Sequence, residues 1–187
     1  MLKRLSRSSA KADGASFAIV ASEYNRRYVD AMLRAARREL QRAGAKVRVV
    51  RVPGAFEIPA VAAALAAGTP ASTASDPAHA SRFTDSPARP DAILCFGVIF
   101  QGQTSHAQHI GEGVTHALAA LQIVERIPVI HAVFVFEQEE HARVRCLGRT
   151  HNRGTEAART ALAMAAVMQG ISGGKSRPRS LARSAPR

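Results

Sequence analysis

The segment Gly102-Gln103-Thr104-Ser105-His106 joins an apolar run, Ala92 to Phe100, to a helical pattern. A short polar turn at the carboxyl end of a strand presents backbone N–H groups to an anion, and the helix that follows adds the positive end of its dipole. His106 falls in the first turn of that helix, and an imidazole changes charge near neutral pH without perturbation. A phosphate cradle with an imidazole beside it predicts proton-transfer chemistry on a phosphorylated small molecule.

Three other segments have residue types suited to such a site. Ser22-Glu23-Tyr24-Asn25 follows the apolar run from Phe17 to Ala21 and reads as a helix entry capped by Ser22 or Asn25. Tyr24 there either stacks on a flat heterocycle or packs over the sheet edge. In the stretch Val52 to Pro59, Gly54 permits close backbone approach to a ligand, and Glu57 either accepts hydrogen bonds from hydroxyls or complements the dipole of the next helix. Arg145 to Gly154 places guanidinium groups in a Gly-punctuated turn; their planar forks suit phosphate, although arginines near a helix C-terminus also simply favour its dipole. His106 and His109 have the spacing of a helical metal pair, but no third ligand follows at a familiar spacing and there is no HExxH, so no metal is expected. His109 is expected on the flank of its helix, and His116, His141 and His151 at the surface.

Positioning these segments at one place requires alternating strands and helices. Strands are predicted from Phe17 to Ala21, Val47 to Val52, Ala92 to Phe100 and Val129 to Val135. Helices are marked by Val29, Met32, Leu33, Ala36 and Leu40, by the run Ile58 to Ala67, and by Ile110, Val114, Leu118, Leu121 and Val124. Two more are expected near Gln138 to Arg145 and Thr155 to Met168. The order βαβαβαβ implies an α/β fold with a parallel sheet covered on both faces and ligands at the strands' carboxyl ends.

Length and composition set the frame. The 187 residues, 47% hydrophobic and with no apolar run long enough to cross a bilayer, predict one soluble domain over 15–170. The stretch 68–90, rich in Ala, Ser, Thr, Pro and Asp and without periodicity, reads as a surface insertion facing away from the active edge. Much of the net charge of +12 lies in Lys3, Arg4, Arg7 and Lys11 and in Lys175, Arg177, Arg179, Arg183 and Arg187. Residues 1–14 and 171–187 are therefore expected to be disordered basic arms that bind polyanions non-specifically, with Kd of roughly 10⁻⁴–10⁻⁶ M. The first arm lacks the apolar stretch of a secretory signal. Cys95 and Cys146 fit no CxxC or disulfide framework, which favours a reducing cytoplasm and two small core residues. Neither a GxGxxG nor a P-loop occurs, removing the common nucleotide-binding alternatives.

Taken together, 22–25, 53–59, 96–106 and 145–154 resemble the 6,7-dimethyl-8-ribityllumazine synthase family of riboflavin biosynthesis, in order and spacing from about Ala15 to Gly170 apart from the insertion. The resemblance implies a flavodoxin-like three-layer αβα sandwich with a four-stranded parallel sheet. It also implies condensation of 5-amino-6-(D-ribitylamino)uracil with 3,4-dihydroxy-2-butanone 4-phosphate, releasing phosphate and water without cofactor or metal. Homopentamers, alone or assembled into a larger shell, with sites between subunits, follow from the same resemblance. By position, Tyr24 would stack on the pyrimidine, Ala55, Phe56 and Glu57 hold the ribityl chain, and backbone groups of Val98, Ile99 and Phe100 address the heterocycle. Gln103 and Thr104 would hold phosphate through their amides, with His106 as general acid and base and Arg145 reaching the phosphate from a neighbouring subunit.

Several positions depart from the family pattern. Gln101 stands where arginine is common, and His131 where an aromatic from the neighbouring subunit often covers the substrate. Ala107-Gln108-His109 replaces an aromatic-acid-aromatic string, and His151 replaces a small residue. His131 keeps a ring able to stack, and one that titrates. Two competing functions are a paralogue that binds flavin or lumazine with poor turnover and a shell that gathers polyanions on its arms. The pair His106 and Arg145 favours the enzyme, because a pure binder needs no proton shuttle beside a phosphate clamp.

Overall fold

The computed structural model describes residues 12, 14–68, 89–148 and 151–172. The expected basic arms, apart from residues 12, 14, 171 and 172, and the insertion between 69 and 88 lie outside the described residues. In chain order the elements are β1 (Ser16–Ser22), α1 (Arg26–Arg42), β2 (Lys46–Val52), α2 (Ile58–Ala67), β3 (Ala92–Phe100), α3 (His106–Glu125), β4 (Val129–Phe136), α4 (Glu139–Ala142), a π-helical turn (Arg143–Leu147) and α5 (Arg153–Ser172).

The strands form one parallel sheet in the order β2-β1-β3-β4. Its central strands β1 and β3 are apolar and buried almost throughout, as parallel strands covered on both faces must be. Lys46, Arg48 and Arg51 interrupt β2, which accordingly lies at an edge. On one face, Phe17, Ile19, Leu94 and Phe96 pack against Val29, Met32 and Leu40 of α1 and Ala158 and Leu162 of α5. On the other, Val20, Ile93 and Cys95 pack against Ile58 and Ala62 of α2 and Val114 and Leu118 of α3. This is the three-layer αβα sandwich of flavodoxin-like proteins. Because α1 crosses on one face and α2 on the other, the chain reverses its winding between β1 and β3, leaving a crevice at their carboxyl ends.

The bounds of β3 and α2 coincide with the expected runs, and the other predicted strands extend by one residue at one or both ends. The helix expected over 138–145 is different: one α-turn gives way to the π-helical turn that carries Arg145 and Cys146. There the Asn152 amide donates to the Cys146 carbonyl at 2.5 Å, drawing that oxygen towards the start of α5. Tyr28 anchors the segment from below, its hydroxyl donating to Glu139.

Helix α5 meets α1 at Gly154, where a Cβ would stand 1.9 Å from the Met32 carbonyl oxygen. Gly154→Ala must push the helices apart and is expected to lower the unfolding free energy by about 1–3 kcal/mol or more. Gly170→Ala, where a Cβ meets nothing within 4 Å, is expected to raise it by up to about 1 kcal/mol. Denaturant midpoints of the two variants should therefore move in opposite directions.

Candidate active site

Three loops leave the carboxyl ends of adjacent strands. The first is tied to the second by backbone bonds, Glu23 N–H to the Val52 carbonyl at 2.8 Å and Tyr24 N–H to the Pro53 carbonyl at 3.1 Å. Neither expected cap forms: the Ser22 hydroxyl donates to the Tyr24 carbonyl at 3.4 Å, and Asn25 stands at the N-cap position with φ 54° and ψ 39°. In that left-handed conformation, which Asn tolerates better than most residues, the side chain turns away from the N–H groups of α1. Its amide donates instead to the Val98 carbonyl at 2.8 Å, bridging the crevice between β1 and β3. That carbonyl, expected to address a heterocycle, is thus engaged within the chain.

In the second loop the Glu57 carboxylate folds back to accept from the Gly54 N–H at 2.9 Å, and a Cβ on Gly54 would lie 2.7 Å from the same oxygen. One Glu57 oxygen therefore holds the turn, a role between the two expected of it. Ala55 is buried, and a Cβ on Gly97 would stand 3.3 Å from its methyl, so the glycine in β3 lets this loop settle on the sheet. Tyr24 and Phe56 are 75% and 64% exposed. A Cβ on Gly113 would approach the Phe56 ring to 3.7 Å, which places Phe56 along α3. Two large aromatics bared beside one crevice are an apolar surface of the kind that marks ligand contact.

The third loop is the turn 101–105. The Gln101 side chain donates to the carbonyls of Thr104, at 2.9 Å, and Gly102, at 3.3 Å, while its backbone N–H bonds the Phe136 carbonyl at 2.9 Å. With those carbonyls held inward, none of the N–H groups of residues 102–105 donates to another described residue. They stand at the amino end of a 20-residue helix whose first residue is His106. Four N–H groups without a partner among the described residues, beside a helix dipole, are suited to an anion. Gln103, Thr104 and His106 are all exposed.

Phe100 and Ile99 are half-buried, and the Phe100 ring meets Tyr28 edge-on at 5.6 Å, so only its backbone faces the site. Arg145 is exposed on the π-helical turn, which packs on the α1 face, whereas His106 opens a helix of the opposite layer. His131 is paired with Cys95, five positions before the pair Phe100 and Phe136. At about 3.3 Å per residue it lies roughly 16 Å from the strand end, apart from the residues above. The Thr115 hydroxyl donates to the Gly111 carbonyl at 2.7 Å and so accepts from His131 Nε2 at 3.0 Å, which fixes the proton on Nε2. Partial burial against α3 lowers the His131 pKa.

His109, His116, His141 and His151 are exposed, and among the described residues no three His, Cys, Asp or Glu side chains converge as metal ligands. Cys95 and Cys146 are buried and unpaired, their thiols pushed by burial up to about 12 and about 11. They are core residues.

A sequence model of the family described as 6,7-dimethyl-8-ribityllumazine synthase matches residues 14–169. The chain belongs to that family. It is 34% identical to the 6,7-dimethyl-8-ribityllumazine synthase of Stenotrophomonas maltophilia (strain R551-3) over 160 residues, 84% of this chain and 91% of the relative. The synthase of Xanthomonas campestris pv. campestris (strain B100) is 33% identical over 158 residues, 83% and 90% of the two chains. That of Desulfotalea psychrophila (strain LSv54 / DSM 12343) is 31% identical over 164 residues, 86% and 94%.

Within this member of the lumazine synthase family, two residues matter more than their types foretold. Asn25 carries the only polar side chain that bridges the crevice among the described residues, and Gln101 braces the anion turn. The Asn25 pattern, a capping residue at a helix start, points to the wrong partner; only its positive φ redirects it.

Asn25→Ala loses the bond to Val98 and adds the left-handed strain of a residue with Cβ, whereas Asn25→Gly loses the bond alone. The alanine variant should be the less stable of the two by about 1–2 kcal/mol in chemical denaturation. Equal stabilities would remove the conformational account. For His131, whose folded pKa lies below its ordinary 6.5, the unfolded chain takes up the proton first. Stability should fall as pH drops below 6.5, until the lower folded pKa is passed, and His131→Gln should flatten that part of the profile.

Proposed function

We propose that this chain condenses 5-amino-6-(D-ribitylamino)uracil with 3,4-dihydroxy-2-butanone 4-phosphate to 6,7-dimethyl-8-ribityllumazine, releasing phosphate and water. The observation that carries the reading is the turn 102–105, with its N–H groups uncommitted and His106 at its end. Phosphate is the leaving group, so donors that tighten on it as it departs lower the barrier to its elimination. His106 moves protons in imine formation, phosphate elimination and ring closure. Gln103 and Thr104 hold the phosphate through the backbone, a role supported by the brace that Gln101 places behind them. Tyr24 stacks on the pyrimidine, Ala55, Phe56 and the second oxygen of Glu57 hold the ribityl chain, and backbone groups of Ile99 and Phe100 face the heterocycle. With its carbonyl engaged by Asn25, Val98 contributes through its neighbours' geometry.

The site is completed by a second copy in a homopentamer, alone or within a larger assembly. Among the described residues, strand β4 pairs only with β3, and beside it α3 borders an open groove of about 440 Å³ with Val133 and Val135 on its wall. Ile123 and Val124 on α3 are also bared, each 75% exposed. An open edge and a bared apolar flank favour cover by another copy. His131, which lies five positions below the strand end, and Arg145, on the layer opposite the helix of His106, then serve a neighbour's site, Arg145 on phosphate and His131 over the substrate. The cytoplasm suits two unpaired buried thiols, and no described helix is long and apolar enough to cross a membrane.

The purified chain is expected to form the lumazine from the two substrates at a rate that a chelator leaves unchanged, and His106→Ala to lower kcat by roughly 10–10³-fold. A His106→Ala enzyme as fast as wild type would remove the imidazole from the mechanism. Refolding His106→Ala together with Arg145→Ala in equal amounts should restore activity to about a quarter of wild type, from sites that combine both intact residues. No rise after verified co-assembly would overturn the shared site.

A further inference from the structure

The folded domain is electrically polarised from one sheet edge to the other. Helix α1 and strand β2 carry nine lysines and arginines against two carboxylates, Asp30 and Glu39. Each of those carboxylates already holds two guanidinium groups: Asp30 those of Arg26, at 3.3 Å, and Arg51; Glu39 those of Arg42, at 2.9 Å, and Arg159, at 2.8 Å. Arg34, Arg37 and Arg38 are exposed and, among the described residues, have no carboxylate partner. Their spacing sets them on one face of α1. At the far edge, α3 and β4 contain two glutamates and neither lysine nor arginine. Such a distribution orients an approaching polyanion towards the α1 side.

Beside the stripe lies an open polar groove of about 260 Å³ between α1 and the start of α5, where Arg34 and Arg38 face Thr155 and Asn152. Asn152 has both ends of its amide engaged, donating to the Cys146 carbonyl and accepting from the Gly154 N–H, so anion contacts there fall to the two guanidinium groups and the Thr155 hydroxyl. Protein interfaces centre on apolar residues and deplete charge there, and the exposed residues of the stripe supply no apolar centre. A phosphodiester backbone requires only cations and hydrogen-bond donors. With no aromatic among those exposed residues to stack on bases, recognition is independent of sequence.

We propose that the folded domain binds nucleic acid through its phosphate backbone on the Arg34, Arg37 and Arg38 stripe of α1, separately from any contribution of the basic arms. The test uses the full chain and a fluorescein-labelled oligouridylate about 20 nucleotides long, with anisotropy titrations over a range of KCl. The triple variant Arg34→Gln, Arg37→Gln, Arg38→Gln keeps good helix formers on an exposed face, and its thermal unfolding and lumazine formation should match wild type. Its affinity should drop, and the slope of log K against log salt should shrink by about 2, three contacts at about 0.7 each. A charge-matched variant, Lys175→Gln, Arg177→Gln, Arg179→Gln, should lose less. Wild-type affinity and slope in the α1 variant, or an equal or greater loss in the arm variant, would overturn the proposal.

Discussion

Strands β1 and β3 are in register from Phe17 with Ala92 to Ala21 with Phe96, and beyond that point their chains part to opposite faces of the sheet. The hydrogen bond from Asn25 to the Val98 carbonyl spans the gap. A parallel sheet that reverses its winding must open there, and an open crevice between two buried strands exposes backbone groups that need partners. One amide closes the deeper part and leaves the rim open. Because Asn25 also begins α1, the same bond sets where Tyr24 projects and how the first loop lies against Pro53.

The loops around that crevice share a polar logic. In each, a side chain satisfies the groups that point inward: Glu57 takes the Gly54 N–H, and Gln101 takes the carbonyls of Gly102 and Thr104. What remains uncommitted is a set of N–H donors of one sign at the head of α3. Preorganised donors cost no reorganisation when negative charge develops on a departing phosphate, the condition under which they act best. Gln101 thus acts as a brace behind those donors.

Layering separates the remaining candidates. His106 and the two exposed aromatics belong to the crevice, while Arg145 rides on the π-helical turn over α1 and His131 sits low on an edge strand facing α3. Charge is also unevenly placed, since α1 and β2 hold nine lysines and arginines and α3 and β4 hold none. A domain with one basic side and one bared apolar flank has two unlike surfaces.

The sequence by itself determined the α/β order, the apolar core strands and the placement of His106 at the head of a helix, because burial on both faces writes continuous apolar runs and a helix start writes a polar turn before a 3.6-residue period. Even the bounds of β3 and α2 were legible in this way. The partner of Asn25 was not, because a capping residue type does not encode the sign of φ, and the bond it makes instead spans 73 residues. Nor was the π-helical turn, whose Cys146 carbonyl accepts from the Asn152 amide beyond it. The layer that carries Arg145 and the height of His131 along the sheet were likewise set by the packing of the elements. Periodicity records how deeply a residue is buried in its own element; which layer that element joins, and at what height along the sheet, is set by the crossings of the chain.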